Sequence, residues 1–218
     1  TADVVIVGAR AAGASLAILP ELPLNPWSAA TQDAVAADAE PPDGPRHEVL
    51  SGAAADAGIG VVGGAIIEDP DTGRRLNTAL VFDGTGALEG TYAKSHIPEE
   101  PGFWETSHYD AGPGTYPVFR ASGIACGVQI CSDINRPMGA AILAALGADC
   151  IAVPRATEAA TYERWLVVLR AVALTTGRYV ASVNRPTGPE LEAAAGIGGP
   201  SVAIGPDGTV LEIGRAHV

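Results

Sequence analysis

The chain has 218 residues, 47% of them hydrophobic and 17% charged, with a formal net charge of −12. That apolar fraction supports a packed core and excludes a disordered chain, and the length suits one sizeable α/β domain. The acidic balance disfavours nucleic acid and anionic membranes as partners, because both need a positive face. No apolar run reaches the ~18 residues that span a bilayer, and no signal-peptide pattern opens the sequence. Three cysteines at irregular spacing argue against a disulfide framework, so the expected location is a reducing cytoplasm.

The first segment, "TADVVIVGARAAG", has two readings. It is a helix leading into the buried strand "SLAILP", which ends at Glu21, or it is a strand entering a glycine turn of a dinucleotide site. A polar loop with "LNPW" and "EPPDGPR" follows. "HEVLSGAAADAGI" predicts a helix and "GVVGGAIIE" a strand, with a turn at "DPDTGRR". "NTALVFD" and "LEGTYAK" form a hairpin pattern about Gly84 to Gly86. Residues 95–115 are a long loop whose Pro and Gly content predicts a functional segment.

The strand "IACGVQI" then ends on Cys131, ahead of a helix through "MGAAILAALGA". "DCIAVP" predicts a strand, "YERWLVVLRAVALTTG" a helix, and "RYVASVNRP" another strand. "GGPSVAIGPDGTVLEIG" closes the pattern as a hairpin around Pro-Asp-Gly. Alternating strands and helices with hairpins among them predict an α/β fold with mixed sheets. Neither a repeat nor a linker divides the sequence, so residues 1–218 are expected to form one domain.

Twelve of the thirteen basic residues are arginine, and the single lysine is Lys94. Lysine is a compact, titratable point charge, whereas arginine is a permanently charged fork. Lys94 ends the strand pattern "GTYA", Glu21 ends "LAILP", and Cys131 ends "GVQI". Side chains at strand ends of an α/β layer fold converge on one rim, where ligands bind. Individually, Glu21 reads as a solvated carboxylate and Cys131 as a small core residue. Together they suit one chemistry. A carboxylate takes the thiol proton, the thiolate attacks an amide-like carbon, and the lysine donates to the oxyanion with the backbone N–H of Ser132.

"LAILPEL", "TYAKSHIPEEPGFWE" and "GVQICSDINRP" resemble the three signature segments of the nitrilase superfamily, the carbon–nitrogen hydrolases. Weaker similarity extends through "NTALVFDGTG", "YVASVNRP" and "GGPSVAIGPDGTVL". The resemblance implies an αββα four-layer sandwich that pairs as a homodimer or larger homo-oligomer, with no cofactor and no metal. It implies Glu21 as the base, Lys94 as the oxyanion lysine and Cys131 as the nucleophile. Glu105, in "FWE", matches a second glutamate that positions lysine and substrate. The family's first strand has no counterpart here, and the sequence stops soon after the final hairpin, so incompleteness at both ends is expected.

Two other readings fit the residues less well. For a flavin- or NAD-binding oxidoreductase, Arg10 replaces the middle glycine of the G-x-G-x-x-G pattern. Glu21 comes too early for its acidic residue, and Asp33 has no strand before it. A catalytically inactive interaction module on the same fold conflicts with the intact Glu–Lys–Cys set. Cys126 and Cys150 are expected in the core, and His96 and His108 lack a matching ligand cluster. Arg155 and Trp165 face the pocket or serve structure. Glu99 and Glu100 form a solvated face or favour a cationic substrate tail.

True nitrilases resemble Cys-Trp-Glu at the nucleophile; here Ser132 and Asp133 follow Cys131, as in amidases and carbamoylases. "KSHIPEEPGFWE" is similar to the loop of N-carbamoylputrescine amidases. Ile134 and Asn135 stand where D-carbamoylases carry paired arginines for a carboxylate. The resemblance therefore implies a small linear amide or N-carbamoyl amine as substrate.

Overall fold

The structure, a computed structural model, describes residues 2–188 and 191–214. The chain opens with helix α1 (Ala2–Ala11), strand β1 (Leu16–Ile18) and the short β2 (Ala39–Glu40). Helix α2 (Pro45–Ala57) follows, then β3 (Gly60–Glu68), β4 (Arg75–Phe82) and β5 (Leu88–Ala93). These strands form one sheet in the order β1-β3-β4-β5, with β2 also on β3. β1 and β2 run parallel to β3, while β3, β4 and β5 are antiparallel neighbours. The run "GVVGGAI" is buried throughout, which explains its continuous apolar character: a strand covered on both faces does not alternate.

The long loop contains a small hairpin, β6 (Glu99–Glu100) and β7 (Phe103–Trp104), and a 3₁₀ turn over Glu105–Ser107. The second sheet comprises β8 (Val118–Ala121), β9 (Ile124–Val128), β10 (Cys150–Arg155), β11 (Tyr179–Asn184), β12 (Ser201–Ile204) and β13 (Val210–Gly214). Its order is β13-β12-β11-β10-β9-β8, parallel at β9-β10-β11 and antiparallel at the flanks. Helices α3 (Pro137–Ala145) and α4 (Tyr162–Thr176) supply its crossovers.

The sheets face each other across Val62, Ala79, Val81, Tyr92, Phe119, Val128 and Ile130. Helices α1 and α2 cover the outside of the first sheet through Ile6, Leu50, Ala53 and Ala54. Helices α3 and α4 cover the second through Leu143, Leu169 and Val172. The architecture is therefore an αββα four-layer sandwich with mixed sheets. Two glycines let the helices sit close. A Cβ on Gly63 would lie 2.7 Å from Leu50 Cδ1, and one on Gly127 would lie 2.7 Å from Leu143 Cδ1.

The opening segment resolves in favour of its helical reading. "VVIVG" lies inside α1, so there is no strand entering a glycine turn, and the dinucleotide-binding alternative is corrected on that ground. Ile6 is buried among Ala17, Leu50 and Ala54; burial of this face overrides the strand preference of β-branched residues. Strand β8, which the sequence did not signal, forms a hairpin with β9 through Ser122 and Gly123, at φ 48° and 85°.

Candidate active site

Both sheets contribute to one buried cluster. Glu21 follows β1 by three residues, Lys94 directly follows β5, and Glu105 opens the 3₁₀ turn after β7. Cys131 comes three residues after β9 and starts a 3₁₀ helix over Cys131–Asn135. The expectation that Glu21 and Cys131 terminate strands is thus corrected by three residues each: the strands stop, and a short irregular stretch carries each side chain inward. Among the described residues four non-glycines have positive φ, and two of them, Leu22 and Cys131 at 48°, sit at this cluster. Such left-handed backbone is costly for a residue with a Cβ and persists where surrounding structure enforces it.

Lys94 is the hub and has no solvent exposure. Its Nζ donates to Glu21 Oε1 at 2.7 Å and to Glu105 Oε2 at 2.5 Å. Asn77 Nδ2 donates to the same Glu21 oxygen at 2.8 Å, and Tyr109 Oη donates to Glu105 Oε2 at 2.5 Å. The other oxygen of each carboxylate, Glu21 Oε2 and Glu105 Oε1, is buried with no partner. Buried polar atoms are normally paired, so two orphaned acceptors in one cluster mark where another molecule's donors fit. Arg185 reaches across from the end of β11 and donates to the carbonyls of Glu21, Leu22 and Asn25 at 3.0, 2.6 and 2.9 Å. Its guanidinium lies 5.8 Å from the Trp27 ring centroid.

The charges are strongly interdependent. Burial alone would strip Lys94 of its proton, but Glu105 and then Glu21 outweigh it and hold the ammonium above its usual range. Burial pushes Glu105 up to about 7 against the pull of Lys94. Burial, reinforced by the Glu21 charge and opposed by Lys94, raises the Cys131 thiol well above its ordinary value. The resting sulfur is therefore a neutral thiol; its Sγ lies 3.8 Å from Ala156 O.

Cys131 and Glu105 line a narrow chamber of about 100 Å³ together with Phe103, Ser132, Thr157 and Trp165. It shares Pro98, Glu100, Ser132 and Asn135 with an outer hollow of about 240 Å³ that adds His96, Glu99 and Arg136. A roomier trough of about 350 Å³, lined by Leu76, Leu80 and Thr91, lies on the outside of the first sheet, away from the thiol. Arg155 is buried behind the chamber, bonded to Ser182 Oγ, Thr157 Oγ1 and Pro200 O, with Trp165 over its guanidinium. His108 Nε2 contacts Thr31 O at 2.8 Å. Cys126 is buried on β9, and Cys150 is partly buried on β10. Among the described residues no group of three His, Cys, Asp or Glu is arranged to hold a metal ion.

The structure thus brings Glu21, Lys94, Glu105, Cys131 and Ser132 together. Sequence reasoning missed Asn77 and Tyr109. Asn77 is a polar residue buried within a strand, which is the one signal it offered. Tyr109 follows Glu105 by four residues in a loop and offered none.

An αββα sandwich with a thiol, a lysine and two carboxylates gathered where its sheets meet is the architecture of the nitrilase superfamily. The chain belongs to the carbon–nitrogen hydrolase family, whose profile matches residues 1–215. It is 29% identical to a beta-ureidopropionase of Arabidopsis thaliana over 184 residues, which is 83% of this chain but 45% of that protein. It is 35% identical to an N-carbamoylputrescine amidase of Solanum tuberosum over 80 residues, 37% of this chain and 27% of that protein. The matched stretches therefore cover less than half the length of each of these two relatives. An amidase of Nesterenkonia sp. AN1, in a mutant form with the acetamide moiety of fluoroacetamide added covalently at its active-site cysteine, superposes with a TM-score of 0.79. That match has 25% identity and covers 97% of this chain and 78% of the amidase.

Proposed function

We propose that this chain hydrolyses the C–N bond of a small linear amide or N-carbamoyl amine through a thioester on Cys131. The observation that carries the reading is the lone lysine, fully buried and fixed between two carboxylates that each keep one free oxygen, beside a buried cysteine in a left-handed corner of the backbone. Glu21 takes the thiol proton as the sulfur attacks the carbonyl carbon. Lys94 and the backbone N–H of Ser132 stabilise the tetrahedral oxyanion. Glu21 returns the proton to the nitrogen, the C–N bond breaks, and ammonia or an amine leaves. Water, deprotonated by Glu21, then attacks the thioester and frees the acid and the thiol. Glu105 fixes Lys94 and accepts a hydrogen bond from the substrate N–H.

The narrow chamber favours a terminal carboxamide or carbamoyl group, with the remainder of the substrate in the outer hollow. The names of the relatives, an amidase and two proteins of ureido and carbamoyl chemistry, agree with that class. The test is ammonia release from a panel of amides, N-carbamoyl amines and nitriles. Turnover should appear with the first two, vanish in Cys131→Ala and persist in Cys126→Ala and Cys150→Ala. An acyl adduct trapped on Cys126 or Cys150 would overturn the assignment.

A further inference from the structure

Asp133 lies two residues beyond Cys131, is fully buried, and has no step in the chemistry above. Its carboxylate is nevertheless crowded with donors. Oδ1 accepts from the backbone N–H of Ser95 at 3.1 Å and of His96 at 2.9 Å, and lies 2.8 Å from His96 Nδ1. Oδ2 accepts from Tyr92 Oη at 2.8 Å and from the backbone N–H of Ile130 at 3.2 Å. Capping the 3₁₀ helix needs only the Ile130 contact. The remaining donors come from β5 and the loop that follows it, from residues on both sides of Lys94. Ser132 Oγ adds a parallel tie to His96 O at 2.5 Å.

We propose that Asp133 is a positioning residue that sets the spacing between the Lys94 ammonium and the Cys131 sulfur. Its bonds join Tyr92, Ser95 and His96, which bracket the lysine, to Ile130, which precedes the nucleophile. A buried carboxylate is tolerated only where donors surround it, and these donors are so distributed that satisfying them fixes one segment against the other. The inference rests on the hydrolase reading for its consequence, but its geometry does not.

Asp133→Asn keeps the shape and turns one acceptor into a donor that faces N–H or O–H groups. A displacement of the lysine segment by about 1 Å should lower kcat roughly 100-fold with KM little changed. A double-mutant cycle with Lys94→Arg separates positioning from general support. If Asp133 acts through Lys94, the same substitution should cost less than about threefold in the Lys94→Arg background. Equal losses in both backgrounds, or no loss in either, overturn the proposal. The cycle is read in parallel on alkylation of Cys131 by iodoacetamide, followed by intact mass, which needs no turnover. Wild-type protein that releases no ammonia yet shows coupled alkylation sinks the hydrolase reading and leaves the positioning role standing. Should Asp133→Asn fail to fold, Tyr92→Phe removes one donor to the same carboxylate and carries the same cycle, with coupling expected and its absence refuting.

Discussion

Replacing Lys94 by arginine is the sharpest perturbation, because the protein already uses arginine for every other basic residue. The substitution keeps the positive charge, so both buried carboxylates stay paired. Removing the charge instead would leave them uncompensated, which costs about 3–5 kcal/mol and confuses folding with chemistry. The lysine cannot back away to make room. Its N–H donates to Asn77 O and its carbonyl accepts from Gly112 N, both at 2.8 Å, while Nζ sits 2.5 and 2.7 Å from its two carboxylates. A longer, planar guanidinium must therefore displace the carboxylates or intrude on the oxyanion position. Loss of one oxyanion donor typically costs about 100- to 1,000-fold in kcat, or roughly 3–4 kcal/mol. Overpacking adds about 1–3 kcal/mol of destabilisation, with a fall in Tm of roughly 2–4 °C per kcal/mol. The assay is steady-state ammonia release, with circular dichroism to establish an unchanged fold. A Lys94→Arg protein that runs within a few-fold of wild type would refute the oxyanion assignment.

Glu21→Gln removes the base while keeping the Asn77 and Lys94 side chains in place, and should lower kcat about 10²- to 10⁴-fold; unchanged turnover would point to another proton acceptor. Glu105→Gln should lower kcat by about 100-fold through misplacement of Lys94, and unchanged kinetics would return Glu105 to a structural role. The same variant has a pH signature in thermal melts. Glu105 binds its proton more tightly folded, at about 7, than at its ordinary 4.5, so its stabilising contribution is present below that lower value and is lost as pH rises to about 7. The Tm advantage of wild type over Glu105→Gln should shrink across that window, with up to roughly 3 kcal/mol at stake; a constant difference would show that the carboxyl titrates elsewhere. On the outer faces of α3 and α4, Met138, Leu146, Val167 and Leu174 are 57–70% exposed. Sedimentation velocity should show a homodimer that Val167→Glu dissociates, and a monomeric wild type would refute pairing through this face.

Local pattern carried the sequence reading as far as local pattern reaches. The apolar run of β3, the hairpin of β4 and β5, and the helical spacing of α4 are local patterns, and α2 and α3 follow from alanine-rich runs bounded by proline and glycine. The solitary lysine was conspicuous because composition made it so. Glu105 came from resemblance alone, since nothing in "GFWETSHYD" says which polar residue turns inward. The β6–β7 hairpin was hidden because two-residue strands have no periodicity to show. Asn77 and Arg185 act through partners 56 and 164 residues away in sequence, and Tyr109, though only four residues from Glu105, is also held by a donor from Asn77, 32 residues away; only the packed fold creates these contacts. The opening segment was ambiguous in the sequence because its β-branched residues favour a strand while its setting against α2 makes it a helix.

The resting thiol of Cys131 is only 4% exposed and held protonated by its surroundings. Oxidative damage follows thiolate character and access, so this sulfur should ignore hydrogen peroxide that consumes ordinary surface thiols. On the proposed chemistry an electrophile carrying an amide group is different, because its N–H groups would meet the two orphaned carboxylate oxygens and its carbonyl would meet the lysine. Reactivity at this cysteine is then licensed by the shape of the visitor rather than by the strength of the reagent.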